Sequence, residues 1–260
     1  MNNTSYMEIG LVPLFLSVGF VLLSCTLSFI RGLGLEKSLL LATARTFIQL
    51  FAVGYILQFL FQSGQWYWVA AFFIASILTA TQIVRGNVGK QSTSYLLPSF
   101  ASILLTSFFI LTVVTGGIIE VNPWWDARFF IPIGGMIISN TMNALGISLG
   151  YYFKQMEARR GEVEMRLLLG ASPAEASQPI VREALVLGMR PSINTMMSVG
   201  IVALPGMMTG QILAGADPVQ AIRYQIVVLL MISTATALGS FLCLEWIRRR
   251  RFTRQGTLRS

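Results

Sequence analysis

The chain has 260 residues, 54% of them hydrophobic and only 12% charged, against roughly 25% charged in an ordinary soluble domain. A water-soluble fold could not hide that much apolar surface. The 19 Lys and Arg against 11 Asp and Glu leave a net charge of +8, a balance that membrane topology accounts for without nucleic acid as a partner.

Seven apolar runs, 9–30, 38–61, 66–84, 95–119, 127–151, 185–210 and 222–247, approach or exceed the roughly 20 residues that cross a bilayer core. Alternating β-barrel patterning is absent, so the runs are helices. The fold class is an all-α integral membrane protein with about seven transmembrane helices, residues 1–260 forming a single transmembrane domain. No Lys or Arg precedes the first run, which is long enough to span, so it reads as a helix and not as a cleaved signal peptide. "LLSC" at 22–25 lacks the basic stretch that a lipoprotein signal needs. Cys25 and Cys243 both lie in apolar runs without a spacing motif and read as packing residues.

Polar groups inside spans are costly and mark candidate sites. In the second run Arg45 and Gln49 share a face four residues apart, and Arg45 is close enough to the cytoplasmic end to snorkel. They either contact substrate or bond helix ends and lipid phosphate. Glu120 and Asp126 fall near the outer end of the fourth and fifth runs, where they either attract a cation or are solvated loop charges. The fifth run carries a small-residue face, Gly135, Ser139, Asn143, Gly146 and Gly150, suited to close helix packing. Asn140 and Asn143 add amides that either bond across helices or line a polar path.

Residues 152–184 form the one sizeable polar segment between spans. From Lys154 to Leu169 the pattern is helical, with Glu162 placed to pair with Arg166. Gly170 ends that helix. Ser172, Pro173 at the first helical position and Glu175 three residues after the cap then form a capping box, predicting a short new helix that ends near Pro179. The sixth run holds Asn194 and Ser198, then Leu204-Pro205-Gly206, where proline predicts a kink. Gly206 and Gly210 form a small-xxx-small pair. Of the adjacent Met207 and Met208, one can face a pathway while the other packs.

Seventeen of the 19 Lys and Arg lie in 31–45, 85–94, 154–190 and 246–260. Positive loops stay in the cytoplasm. The N-terminus is therefore expected outside and the C-terminus inside, in the cell (inner) membrane. The run "RRRRFTR" at 248–254 directly follows a span and reads as an inner-leaflet anchor in contact with membrane lipid.

"E-x-x-x-L-L-G-A-S-P-x-E-A", from Glu164 to Ala176, resembles the coupling segment of ABC transporter permeases. "RTFIQLFAVGYIL" at 45–57, "GGMIISNTMNALGISL" at 134–149 and "VALPGMMTGQILAGADPVQAIRYQIVV" at 202–228 are similar to signatures of the iron-export ABC permease family, which includes plant aluminium-tolerance membrane proteins. The likeness runs from about residue 35 to residue 245. It implies a permease subunit, working as a homodimer and paired with a cytoplasmic ABC ATPase, in metal export or metal tolerance. It also implies that Glu162, Glu164, Gly170, Ala171, Ser172, Pro173 and Glu175 dock on that ATPase.

The chain itself offers no ATP site. The nearest approach to a phosphate-binding loop, "GNVGKQS" at 86–92, is short in spacing and has Gln91 where Ser or Thr is required. A non-catalytic subunit follows, with no cofactor of its own and ATP-Mg on the partner. The substrate-path candidates are Arg45, Gln49, Asn140, Asn143, Asn194, Ser198, Met207 and Met208. With no histidine, and no Asp or Glu deep in a span, these residues do not by themselves specify ferrous iron. An organic substrate such as a sugar nucleotide, or ion-coupled secondary transport, are the alternatives.

Overall fold

A computed structural model describes residues 10–91 and 93–252 of the chain. Its helices are α1 (Leu11–Leu16), α2 (Val18–Ile30), α3 (Glu36–Ser63), α4 (Trp66–Val88), α5 (Leu96–Thr112, continued by a π-helical turn Val113–Ile118), α6 (Ala127–Ala158), α7 (Arg160–Leu168), α8 (Pro173–Ser198), α9 (Gly206–Leu213) and α10 (Pro218–Arg251). No β-strand forms among the described residues. Six helices are long and apolar enough to cross a membrane: Val12–Ile30, Glu36–Ser63, Trp66–Val88, Leu96–Ile118, Ala127–Ala158 and Pro218–Arg251. The protein is an all-α integral membrane protein. The first predicted run begins at residue 9 and the arginine run reaches 254, so each is only partly within the described residues.

The chain divides into two compact units, Met1–Gly64 with Leu213–Gly215, and Gln65–Ile212 with Ala216–Ser260. In the first, α2 and α3 pack as a hairpin. Its turn is closed by the Ser28 hydroxyl, which donates to Glu36 Oε1 at 2.7 Å and accepts from the Leu35 amide at 3.1 Å. Cys25 and Cys243 are both free thiols.

The second unit is built around α6, which packs on α4, α5, α8 and α10. Ile133, Ile137, Leu145, Leu149, Tyr152 and Met156 of α6 are fully buried. Apolar burial contributes little between helices in lipid, so close approach of backbones has to do more of the holding. A Cβ on Gly188 of α8 would sit 2.9 Å from the Ala144 carbonyl oxygen, and one on Gly239 of α10 would sit 2.5 Å from Thr141 Cγ2.

That packing face differs from the predicted one. Gly135 and Gly150 have no atom near a prospective Cβ, and Ser139 and Asn143 are exposed. Of the predicted stripe, Gly146 alone meets a neighbour, Asn87 Nδ2 at 3.2 Å. The tight contacts fall instead at Thr141, Ala144 and Ser148, small residues set among the branched apolar side chains of the buried face.

Three boundaries also need correction. The fifth predicted run extends past 151, because α6 stays helical to Ala158 before Arg159, with φ −106°, separates it from α7. The helix begun by Ser172 does not stop near Pro179: α8 is continuous over Pro173–Ser198, with Pro179 and Pro191 inside it. Each proline deletes a backbone hydrogen bond, but Ala176 and Ser177 before Pro179 and Ile180, Val181 and Ala184 after it are all buried. Tertiary packing keeps the rod intact.

The sixth predicted run, 185–210, is not one kinked helix. α8 ends at Ser198, and residues 199–205 form a non-helical link in which Gly200, φ +83°, donates to the Ala203 carbonyl at 2.9 Å. Pro205 stands at the head of α9, where its carbonyl accepts from the Thr209 amide at 3.0 Å. A proline just ahead of a helix costs no helical hydrogen bond.

Candidate functional site

Two places in the second unit bring the sequence-predicted residues together: the α7–α8 turn and a cavity among α6, α8, α9 and α10. Gly170, at φ +91°, makes the turn in the left-handed region that glycine tolerates best. Ala171 follows, and the capping box predicted at Ser172 is formed. The Glu175 amide donates to Ser172 Oγ at 3.3 Å, while Glu175 Oε2 accepts from the Ser172 amide at 2.8 Å and its hydroxyl at 2.7 Å. Those bonds, the hydroxyl's foremost, hold the Glu175 carboxyl below the usual carboxylate range.

The approach to the turn is fixed by charge. Glu162 receives Arg159 and Arg166, each at 2.8 Å, and Glu164 receives Arg160 at 2.8 Å. Arg159 also reaches Glu183 of α8 at 3.3 Å, and the Tyr151 hydroxyl of α6 donates to Glu183 at 2.6 Å. The hydrogen bond from Arg159 chiefly lowers the pKa of Glu162, and the one from Tyr151 chiefly lowers that of Glu183. Exposed ion pairs contribute little each, but this set links three helices.

At the tip, Leu168 is 88% and Leu169 82% exposed, with Met165 at 62% beside them. These residues were missed in the sequence as a surface, although the two leucines stand inside the coupling motif. Apolar side chains clustered on a polar turn mark a place for a partner.

The cavity has a volume of about 210 Å³ and is lined by Met136 and Asn140 of α6, Ser192, Thr195 and Met196 of α8, Pro205, Gly206 and Met207 at the head of α9, and Gln225, Val228, Leu229 and Ile232 of α10. Gln225 is 6% exposed, and its Oε1 has no hydrogen-bond partner. A buried amide oxygen without a partner carries a desolvation cost of about 1–3 kcal/mol, which a ligand or water relieves. Asn140 donates through Nδ2 to the Met136 carbonyl at 2.8 Å. The Ser192 hydroxyl donates to Thr236 Oγ1 at 3.3 Å, and that of Thr195 to the Pro191 carbonyl at 2.9 Å.

Of the predicted path residues, Asn140 and Met207 line this cavity, as do Pro205 and Gly206 from the predicted kink. Ser198 instead donates to the Thr195 carbonyl at 3.2 Å. Asn143 and Asn194 are exposed, and Met208 is buried away from the cavity lining, so the second of the paired methionines packs. Gly210 is exposed with no atom near a prospective Cβ. Arg45 and Gln49 lie on exposed positions of α3 in the first unit. Asp126 caps α6, accepting from the Arg128 amide at 2.9 Å. Gln225, Ser192, Thr195, Met136 and Met196 were not foreseen. Gln225 carried a usable signal, a lone amide in the seventh apolar run.

Every lining side chain is neutral, and no group of three or more His, Cys, Asp or Glu is placed to hold a metal among the described residues. Amide oxygens, hydroxyls and thioethers can replace part of a cation's hydration shell without trapping it. The space equals several waters at about 30 Å³ each. It is small for a nucleotide and offers no cationic side chain to meet phosphate.

Comparison with known proteins gives a consistent picture. The model of an uncharacterised protein family, UPF0014, matches residues 11–252. The membrane protein STAR2 of Oryza sativa subsp. japonica is 35% identical over 239 residues, covering 90% of this chain and 81% of STAR2. The protein ALUMINUM SENSITIVE 3 of Arabidopsis thaliana is 33% identical over 89% of this chain and 83% of its own length. The probable iron export permease protein FetB of Escherichia coli (strain K12) is 32% identical over 87% of this chain and 86% of FetB. No solved structure matches the chain.

Proposed function

The chain belongs to the UPF0014 family of membrane proteins, and from that membership we propose that it is the membrane-spanning permease subunit of an ATP-driven metal exporter. A separate cytoplasmic ATPase binds and hydrolyses ATP-Mg, and two copies of this chain complete the transporter. On this reading α8, the 199–205 link and α9 make a seventh crossing beside the six long helices, with the α7–α8 turn and the C-terminus facing the cytoplasm and the N-terminus outside, as the positive-inside rule expects.

The observation that carries this reading is the continuity of α8. The rod starts at the capped turn and ends at Ser198, and its last two turns supply Ser192, Thr195 and Met196 to the cavity. Over 26 residues it is about 39 Å long, at about 1.5 Å per residue. Closure of the ATPase pair against Leu168, Leu169 and the Ser172 cap therefore moves one wall of the cavity directly. A loose loop would absorb that motion, whereas the capping box and the Arg159 and Glu162 pairs resist it. Rigid-body movement of this kind is what alternating access requires.

The cavity favours a small cation over a sugar nucleotide, on size and on the absence of a cationic lining. Ion-coupled transport is disfavoured because such carriers use intramembrane carboxylates or histidines, and no acidic side chain is buried among the described residues. The relatives named for iron export and aluminium sensitivity point to metal.

The test is purification of the tagged chain from its native host in mild detergent, with partners identified by mass spectrometry. A soluble subunit bearing a phosphate-binding loop should co-purify with the wild type. It should be lost from Glu164→Arg/Ser172→Arg and from Leu168→Asp/Leu169→Asp. No ATPase after gentle cross-linking, or one that all variants retain, overturns the docking assignment.

A further inference from the structure

A second cavity, of about 560 Å³, opens on the α6–α8 surface beside the turn, lined by Tyr151, Gln178, Pro179, Arg182, Glu183, Val186, Leu187 and Arg190. From its residues we infer that it is a binding site for an anionic phospholipid, with the phosphate held between Arg182 and Arg190. The neighbouring acids are already engaged: Glu162 with Arg159 and Arg166, Glu164 with Arg160, Glu175 in the cap, and Glu183 with Tyr151 and Arg159. Arg182 and Arg190 make no hydrogen bond or ion pair among the described residues. Glu183 lines the same cavity, but its oxygens face Tyr151 and Arg159, so two uncompensated guanidinium groups set its charge.

Position makes the ligand a lipid. Arg190 follows Gly188, which is seated against Ala144 and Ser148 inside the helix bundle, yet Arg190 itself is exposed. An exposed arginine at that depth is costly unless it reaches an anion. Helical side chains lean toward the helix N-terminus, so Arg190 reaches back toward the level of Arg182 and the headgroups, as a snorkelling arginine does. The two lie eight positions apart on one face, about 12 Å along the axis at about 1.5 Å per residue. Between them Val186, half exposed, and Leu187, with Pro179 one turn before Arg182, offer an apolar wall for the glycerol and upper acyl chain. Basic pockets between transmembrane helices bind phospholipid headgroups in this way. The site needs the chain to be a membrane protein and does not depend on the ATPase or on a metal substrate.

The experiment titrates the delipidated full-length protein in neutral detergent with dioleoyl phosphatidylglycerol, dioleoyl phosphatidylcholine or inorganic phosphate. Bound lipid is read by native mass spectrometry, and thermal stability in parallel. Phosphatidylglycerol should bind saturably and raise Tm, with phosphatidylcholine far weaker and inorganic phosphate without effect. Each arginine removed should weaken phosphatidylglycerol about fivefold, the effect of roughly one surface charge, so Arg182→Gln/Arg190→Gln loses about 30-fold. Arg223→Gln, on α10, serves as the exposed control and should not change it. Arg182→Lys/Arg190→Lys keeps the charges and should recover most binding, which separates lost charge from misfolding. Equal phosphatidylglycerol affinity in the double glutamine variant overturns the site. So does stabilisation by inorganic phosphate alone, which would make the ligand a soluble anion, or closure of this face by a second copy with no lipid retained.

Discussion

Ser172 and Glu175 show how much a pair of side chains can fix. Each satisfies the other's backbone amide, so the first turn of α8 forms without help from distant residues. Because the folded state lowers the pKa of Glu175, the carboxylate's contribution is complete above the unfolded value of about 4.3. It is lost as pH falls through the lowered folded value. Glu162, lowered chiefly by Arg159, has the same sign. Hydrogen-exchange protection across 170–178, corrected for intrinsic rates, should therefore be flat near neutrality and drop only below about pH 4.3. Glu175→Gln should remove much of that acid step. Ser172→Ala should lower protection about fivefold at neutral pH, the effect of a lost cap worth about 1 kcal/mol. Unchanged protection in Ser172→Ala would mean that the cap is idle.

Among the helices, α8 matters most, and its seat is Gly188. A methyl there would lie 1.9 Å from Ser148 Oγ and 2.9 Å from the Ala144 carbonyl oxygen. The serine can rotate away, but the backbone oxygen cannot, so Gly188→Ala must push α8 off α6. The expected cost is about 1–3 kcal/mol of stability, the usual penalty of overpacking, read as a lower Tm in detergent. Removing the hydroxyl as well, in Gly188→Ala/Ser148→Ala, should restore only part of it. Gly150→Ala, which meets nothing, should be neutral or stabilising. A Gly188→Ala protein as stable as the wild type would show that α8 is not held at this point.

The same elements show what could be read in the chain beforehand. Long apolar runs announce their helices because the bilayer sets a length that few other structures need. The cap at Ser172 was legible because it is local. Pro179 and Pro205 misled for one reason: a proline's local effect is certain, but its consequence depends on packing. Ile180, Val181 and Ala184 carry α8 past Pro179, while the left-handed Gly200 and the link at 199–205 end it before Pro205 is reached. The stripe of small residues on α6 was legible as a stripe, but which side of the helix would be buried was not. Asn140 and Met207 were visible as polar or soft groups in spans. Their meeting with Gln225 required three separate helices to be placed together.

For the whole molecule, the proposed function gives α8 one task, linking an ATP-driven docking surface to a neutral passage for a cation. The energy source and the passage can be tested together. The most direct measurement is accumulation of ferrous iron in inside-out membrane vesicles that contain this chain and its co-purifying ATPase. Uptake is expected to require ATP and to survive a protonophore. It should fall about tenfold or more in Gln225→Leu, since a hydrogen bond or ligand contact to a charged group is worth about 1.5–3 kcal/mol. It should disappear in Leu168→Asp/Leu169→Asp. Uptake that runs on a proton gradient without ATP, or that Gln225→Leu leaves untouched, would contradict the proposed function.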